Sequence, residues 1–121
     1  MDKIAIGKHT ELLACKHLQS QGMILKETNY RCKQGEIDLI MQDGNTLVFV
    51  EVRYRKSHHY GTAAESVDAR KQGKLLLCAN HYLSAKKKQH QPCRFDVVSL
   101  NGPLQSIAID WIPDAFISHG N

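Results

Sequence analysis

The residues of this chain best able to do chemistry stand in two short stretches, Gly35-Glu36-Ile37-Asp38-Leu39 and Phe49-Val50-Glu51-Val52-Arg53. Alternate residues of a strand share a face, which places Glu36 with Asp38 and Glu51 with Arg53. Between the stretches, Asp43-Gly44-Asn45 is a strong turn signal. A two- or four-residue loop at Asp43–Thr46 would bring both faces to one side of a hairpin, with Asp38 opposite Phe49 or Glu51, whereas a three-residue loop or a bulge would break that parity. Asp38, Glu51 and Arg53 would then converge. Glu51 interrupts a run of β-formers that otherwise reads as core, where an unpaired carboxylate is costly and two adjacent carboxylates repel. A divalent cation relieves both problems. Mg²⁺ or Mn²⁺ is commonly held by one or two carboxylates, water and a substrate phosphate. Such an ion activates water and orients the phosphate, and Arg53 could neutralise charge on the phosphoryl oxygens. The plainer alternative is an ion pair of Arg53 with Glu51 or Asp38 at a sheet end. The residues alone leave both open.

Positioning such a group requires a sheet with supporting helices. About Ile6 to Gln21 the spacing of Leu12, Leu13, Cys15 and Leu18 predicts a helix that ends at Gly22. Met23–Tyr30 is expected as a strand. Glu36–Gln42 alternates, with Ile37, Leu39 and Met41 on one side and Glu36, Asp38 and Ile40 on the other. Thr46–Arg53 is rich in strand formers. Ser57–Thr62, with His58 and His59, reads as a polar loop whose histidines are either simply exposed or within reach of a phosphate. From about Ala63 to Ala85, Val67, Leu75, Cys78, Ala79, Tyr82 and Leu83 form a helical stripe, interrupted by Gly73. Lys86–Pro92 is a basic loop, Arg94–Leu100 and Leu104–Ile112 are strands, and Pro113–Ser118 is a terminal turn or short helix. Arg94 and Asp96 are spaced to share a face. The order α-β-β-β-α-β-β predicts an α/β fold, a mixed central sheet flanked by helices.

The 121 residues suffice for one domain with one core. No apolar run approaches the length of a membrane span and the start lacks a signal peptide's apolar region, so a cytoplasmic protein is expected. Cys15, Cys32, Cys78 and Cys93 form no C-x-x-C pair and are expected as buried or half-buried thiols; Cys15 with His17 lacks the second half of a zinc site. The net charge of +4 is uneven: Arg70 to Arg94 holds seven Lys/Arg and no acid, leaving nine against all 12 acidic residues elsewhere. A cationic face beside carboxylates suits a phosphate backbone and a metal, although charge alone equally fits a solvated helix and a basic loop. Signatures of nucleotide-binding P-loops, serine hydrolases and zincins are absent.

Four blocks in order and spacing, Gly-Glu-Ile-Asp-Leu-Ile, Phe-Val-Glu-Val-Arg-Tyr-Arg, Ser-Val-Asp-Ala-Arg-Lys-Gln and Arg-Phe-Asp-Val-Val, resemble the YraN family of small bacterial proteins. The resemblance runs from Gly7 and Glu11 to Ala115-Phe116. That family is similar to archaeal Holliday junction resolvases and belongs with the PD-(D/E)xK nucleases, which implies a restriction-endonuclease-like fold. By this resemblance Asp38 and Glu51 would bind the metal and Glu11 would complete the metal site, unless it is a solvent-facing helix residue. Glu36 would support the ligands from behind or pair with a basic group. Lys71 and Gln72 match a block that orients the site or contacts DNA. Arg53 stands where most such nucleases have lysine; it stays protonated, so it can stabilise an anionic transition state but cannot cycle as acid and base. Thr10 precedes Glu11 where glycine is usual.

The expectation is a Mg²⁺- or Mn²⁺-dependent endonuclease on DNA, with branched DNA implied by the resemblance. Asp38, Glu51 and Arg53 would be catalytic, and Asp38, Glu51 and Glu11 the metal ligands. Arg55, Lys56, Arg70, Lys71, Gln72 and Lys74 would hold nucleic acid, along the basic segment Arg70–Arg94. A junction-cutting role would need two sites and hence a homodimer. The alternatives are a degenerate nuclease-fold module that binds nucleic acid or a protein partner without cleavage, and a scaffold whose carboxylates form a structural ion-pair network.

Overall fold

A computed structural model describes residues 1–56 and 67–116, so the loop expected at Ser57–Thr62, with His58 and His59, lies outside the described residues. The elements are α1 (Lys3–Ser20), β1 (Ile24–Cys32), β2 (Gly35–Asp43), β3 (Thr46–Arg55), α2 (Ala69–Ala85), β4 (Cys93–Asn101) and β5 (Ala108–Phe116). They form the expected α-β-β-β-α-β-β order. The sheet runs β1-β2-β3-β4-β5, antiparallel except for the parallel β3–β4 pair. That parallel step requires a crossover, and α2 supplies it.

The helices cover opposite faces. Leu47 and Phe49 of β3 and Phe95 and Val97 of β4 pack with Leu75, Cys78, Ala79 and Tyr82 of α2. The alternate residues Val48, Val50, Val98 and Leu100 pack with Ala14, Cys15 and Leu18 of α1. β3 is thus apolar on both faces, as an internal strand must be. Glu51, on the α2 face by this alternation, falls at the end of the buried run.

Both helices begin at aspartate caps. Asp2 accepts from the Ala5 N–H at 2.8 Å and Asp68 from the Lys71 N–H at 2.9 Å. These caps set the starts at Lys3 and Ala69. Gly73 does not break α2, because it faces open space. On α1 the buried residues are Thr10, Ala14, Cys15 and Leu18. Leu12, expected on that stripe, is exposed. Thr10 settles its buried hydroxyl by donating to the carbonyls of Ile6 and Gly7.

Three further expectations are corrected. Strict alternation in β2 fails: Leu39 and Met41 pack on the α1 side, but Ile37 joins Ile40 on the α2 side, so the strand turns its faces at Asp38. The chain end is not a turn or helix at Pro113; Leu104–Ser106 is a 3-10 turn and β5 continues to Phe116. Proline is tolerated there because β5 is an edge strand. Finally, Cys32 and Cys78 are joined as a disulfide between β1 and α2, leaving Cys15 and Cys93 as free thiols.

Candidate metal and phosphate site

The two-residue turn at Gly44-Asn45, with Gly44 at φ 60°, pairs Asp43 with Thr46 and carries the register up to Leu39 with Val50. Pairing stops there. Asp38 and Glu51 are the next residues across, and in place of a further ladder bond the Asp38 Oδ2 accepts the Val52 N–H at 2.8 Å. The side chain thereby satisfies a donor that the parting strands would otherwise leave open. β3 itself continues, paired with β4 as far as Arg55 with Asn101. The site is therefore a fork between β2 and β3, with β3 held along its other edge by β4.

Glu51 is 4% exposed. Its Oε2 is 3.5 Å from Arg53 Nε, on the same strand face, and 3.5 Å from Lys71 Nζ, in the first turn of α2. The Asp68 cap fixes the Lys71 backbone in that turn. From the other helix comes Glu11. One carboxylate oxygen from each of Glu11, Glu36 and Asp38 lies within 4.8 Å of the others. Asn29, at φ 49°, donates its amide to Glu11 Oε1 at 3.1 Å, and Arg31 Nε donates to Glu36 at 2.8 Å.

Burial, followed by the negative charge of Glu51, pushes the Asp38 carboxyl up to about 7 against the opposing pull of the Val52 N–H. Burial also raises Glu11; the Asn29 hydrogen bond opposes this while Asp38 and Glu36 add to it. Acids raised by burial and mutual repulsion gain most from a divalent cation nearby. An all-oxygen set of three carboxylates suits a hard ion such as Mg²⁺ or Mn²⁺.

Asp38, Glu51 and Arg53 are thus brought together, and Glu11 joins Asp38. Glu36 stands in ligand range beside them and also pairs with Arg31. Glu51 faces Asp38 from β3, outside that three-residue group. Lys71, read from sequence as part of a block that orients the site or contacts DNA, reaches Glu51. Gln72 turns its amide back to the Val67 carbonyl at 2.9 Å. Arg55 and Lys56 end β3 beyond Arg53, and Arg70 and Lys74 are exposed on the first half of α2.

The rest of the basic segment is elsewhere. α2 is 17 residues long, so its ends lie about 25 Å apart. Lys86–Lys88 follow its far end, and the chain after them packs on the β2–β3 turn, through Gln91 Nε2 to the Asn45 carbonyl and the Leu47 N–H to the Pro92 carbonyl. Arg94 is held there by Asp43 at 3.1 Å and Asp96 at 3.0 Å. Asp96 is fully buried and also accepts from Trp111 Nε1 and the Asp114 N–H. Arg94 and Asp96 are a structural network tying β4 to β5, and the cationic segment is two patches at opposite ends of the sheet.

Among the described residues no helix is long and apolar enough to cross a membrane. The profile of the Uncharacterised protein family UPF0102 matches residues 10–100. The chain is 49% identical over 113 residues to a UPF0102 protein of Stutzerimonas stutzeri, covering 93% of this chain and 94% of the relative. It is 46% identical over 111 residues to one from Nitrosococcus oceani, covering 91% and 90%. It is 49% identical over 114 residues to one from Hahella chejuensis, covering 93% and 90%.

Proposed function

From a chain that belongs to the Uncharacterised protein family UPF0102, the YraN family whose motifs it carries, we infer a metal-dependent phosphodiesterase that cuts nucleic acid, DNA in the first instance. The observation that carries this reading is the grouping of Glu11, Glu36 and Asp38 within 4.8 Å, beside a buried Glu51 that two cations engage. Three carboxylates from α1 and β2 repel one another; Arg31 and Asn29 engage Glu36 and Glu11, and a divalent cation would offset what remains at Asp38.

Mg²⁺ or Mn²⁺ held by Asp38 with Glu11, Glu36 or Glu51 would supply an activated water and positive charge at the phosphoryl oxygens. Arg53 and Lys71 stabilise developing negative charge from the other side. Arg70 and Lys74, with Arg55 and Lys56, hold the flanking backbone. The chain acts as one domain, and a junction-cutting activity would use two copies.

The test is cleavage of single-stranded, duplex, flapped and four-way DNA with and without Mn²⁺ or Mg²⁺. Asp38→Ala and Glu51→Ala proteins from parallel preparations serve as controls. Metal-dependent cutting by the wild type, reduced at least a hundredfold in both variants, is expected. Equal cutting by all three would refute it.

One observation favours a second reading. Glu51 is already neutralised by Arg53 and Lys71, as a binding module that has lost turnover could retain it. That protein would bind nucleic acid in a salt-sensitive way and cut nothing.

A further inference from the structure

Glu11 belongs to two places at once. One side faces Asp38 and Glu36; the other lines a cleft of about 250 Å³ between α1 and β1. Lys8, Glu11, Leu12 and Cys15 form the helix wall, Leu25, Thr28 and Asn29 the strand wall, and Leu39 the floor. β1 bows here, its register slipping between Leu25 and Glu27. Asn29 adopts a left-handed backbone and reaches across to Glu11. Leu12, half exposed at 52%, offers apolar surface to the cleft that the fold does not cover.

Whatever phosphate the carboxylates hold carries a sugar and a base, and this cleft is the adjoining space. Its volume lies just below the usual range for small-molecule pockets, which suits one heterocycle. The chemistry also matches a base. Leu12, Leu25 and Leu39 meet its faces, Thr28 and Asn29 can bond its edge, and Lys8 sits at the mouth for a neighbouring phosphate. A base inside a continuous duplex is stacked and paired, and must first be unpaired and unstacked, at a cost in free energy, to enter.

We propose that the α1–β1 cleft receives an unpaired nucleobase next to the phosphate at Glu11 and Asp38. The preferred substrate is then nucleic acid with an unpaired nucleotide at the cutting point, not continuous duplex. This rests on the nuclease reading above and specifies its substrate class.

The experiment uses the full chain with Ca²⁺ and two DNAs of equal length, one a continuous duplex and one with a single unpaired 2-aminopurine. Among the described residues no aromatic side chain lines the cleft, so an inserted base loses its stacking partners and its fluorescence should rise severalfold on binding. The same probe placed in a paired position should stay quenched. Affinity for the DNA with the unpaired base should exceed that for the duplex at least tenfold. Leu12→Trp, at an exposed helix position and checked for an unchanged melting temperature, puts an indole in the cleft that either excludes the base or stacks on it and quenches it, so the fluorescence rise should fall at least threefold. Equal affinity for the two DNAs, a fluorescence rise undiminished by Leu12→Trp, no fluorescence rise in the wild type, or no binding to either DNA overturns the proposal. Metal-dependent cutting lost in Asp38→Ala is read separately, so the nuclease reading can stand while the cleft assignment falls.

Discussion

A carboxylate buried within a sheet must be paired, and Glu51 is held by Arg53 and Lys71, each at 3.5 Å. Lys71 is 37% exposed, so solvent screens its pairing and the stability at stake is small. Lys71→Met is expected to lower unfolding free energy by less than about 1 kcal/mol in a denaturant titration, yet to slow metal-dependent cutting at least tenfold. A large stability loss with unchanged cutting would make Lys71 structural. Asp38 differs, because burial and Glu51 raise its carboxyl to about 7, well above the ordinary aspartate value of 3.8. Across that window the folded chain binds a proton that the unfolded chain has released. Stability of the metal-free protein therefore falls as pH rises from about 4 to 7, by at most about 1.4 kcal/mol per pH unit from this group. Urea midpoints measured across pH 5 to 8 should show the decline in wild type and a shallower one in Asp38→Asn. Saturating Mn²⁺ should flatten the wild-type curve, since the ion binds the deprotonated form. Identical slopes in the two proteins would contradict this placement of Asp38.

Each element contributes one side of the fork. β3 carries Glu51 and Arg53 between two apolar faces, α1 brings Glu11, and α2 brings Lys71. The disulfide joins β1 to α2 across 46 residues of sequence. Closing a loop of that length restricts the unfolded chain by up to about 4 kcal/mol in the chain-entropy account. Replacing Cys32 and Cys78 together by alanine should cost about 2–4 kcal/mol, measured by denaturant unfolding under non-reducing conditions. Reduction of the wild type should produce a comparable loss. If reduction leaves the unfolding midpoint unchanged, the two cysteines act as thiols, as their spacing alone implied.

At the scale of the whole molecule, charge is divided by the length of α2. Arg70, Lys71 and Lys74 stand at the site end, while Lys86–Lys88 follow the far end of α2, just before the segment that packs on the β2–β3 turn. Only the first group is placed to meet a phosphate backbone held at the fork. Nucleic-acid affinity measured against salt should keep its slope when Lys86, Lys87 and Lys88 are changed to alanine. The Arg70→Ala, Lys74→Ala double variant should reduce the log–log slope by about two. A larger effect from the lysine triplet would place the nucleic acid along the far end instead.

The hairpin, its two-residue turn and the shared face of Glu51 and Arg53 were legible in the sequence, because turn chemistry and the alternation of β3 are local and have fixed parity. The element order was legible for the same reason: each element carries its own period and punctuation. The α1 stripe was read less well. Leu12 looks like a core residue by type, and only the docking of α1 on the sheet decides that it lines a cleft. The reversal of β2 at Asp38 was hidden too, since it arises where β2 stays paired with β1 and β3 with β4 while the two part from each other, a matter of sheet pairing rather than of local pattern. The Cys32–Cys78 pairing and the reach of Lys71 depend on where α2 crosses the sheet. Periodicity along a chain specifies which face a residue occupies, whereas the packing of elements across the sheet decides which faces meet.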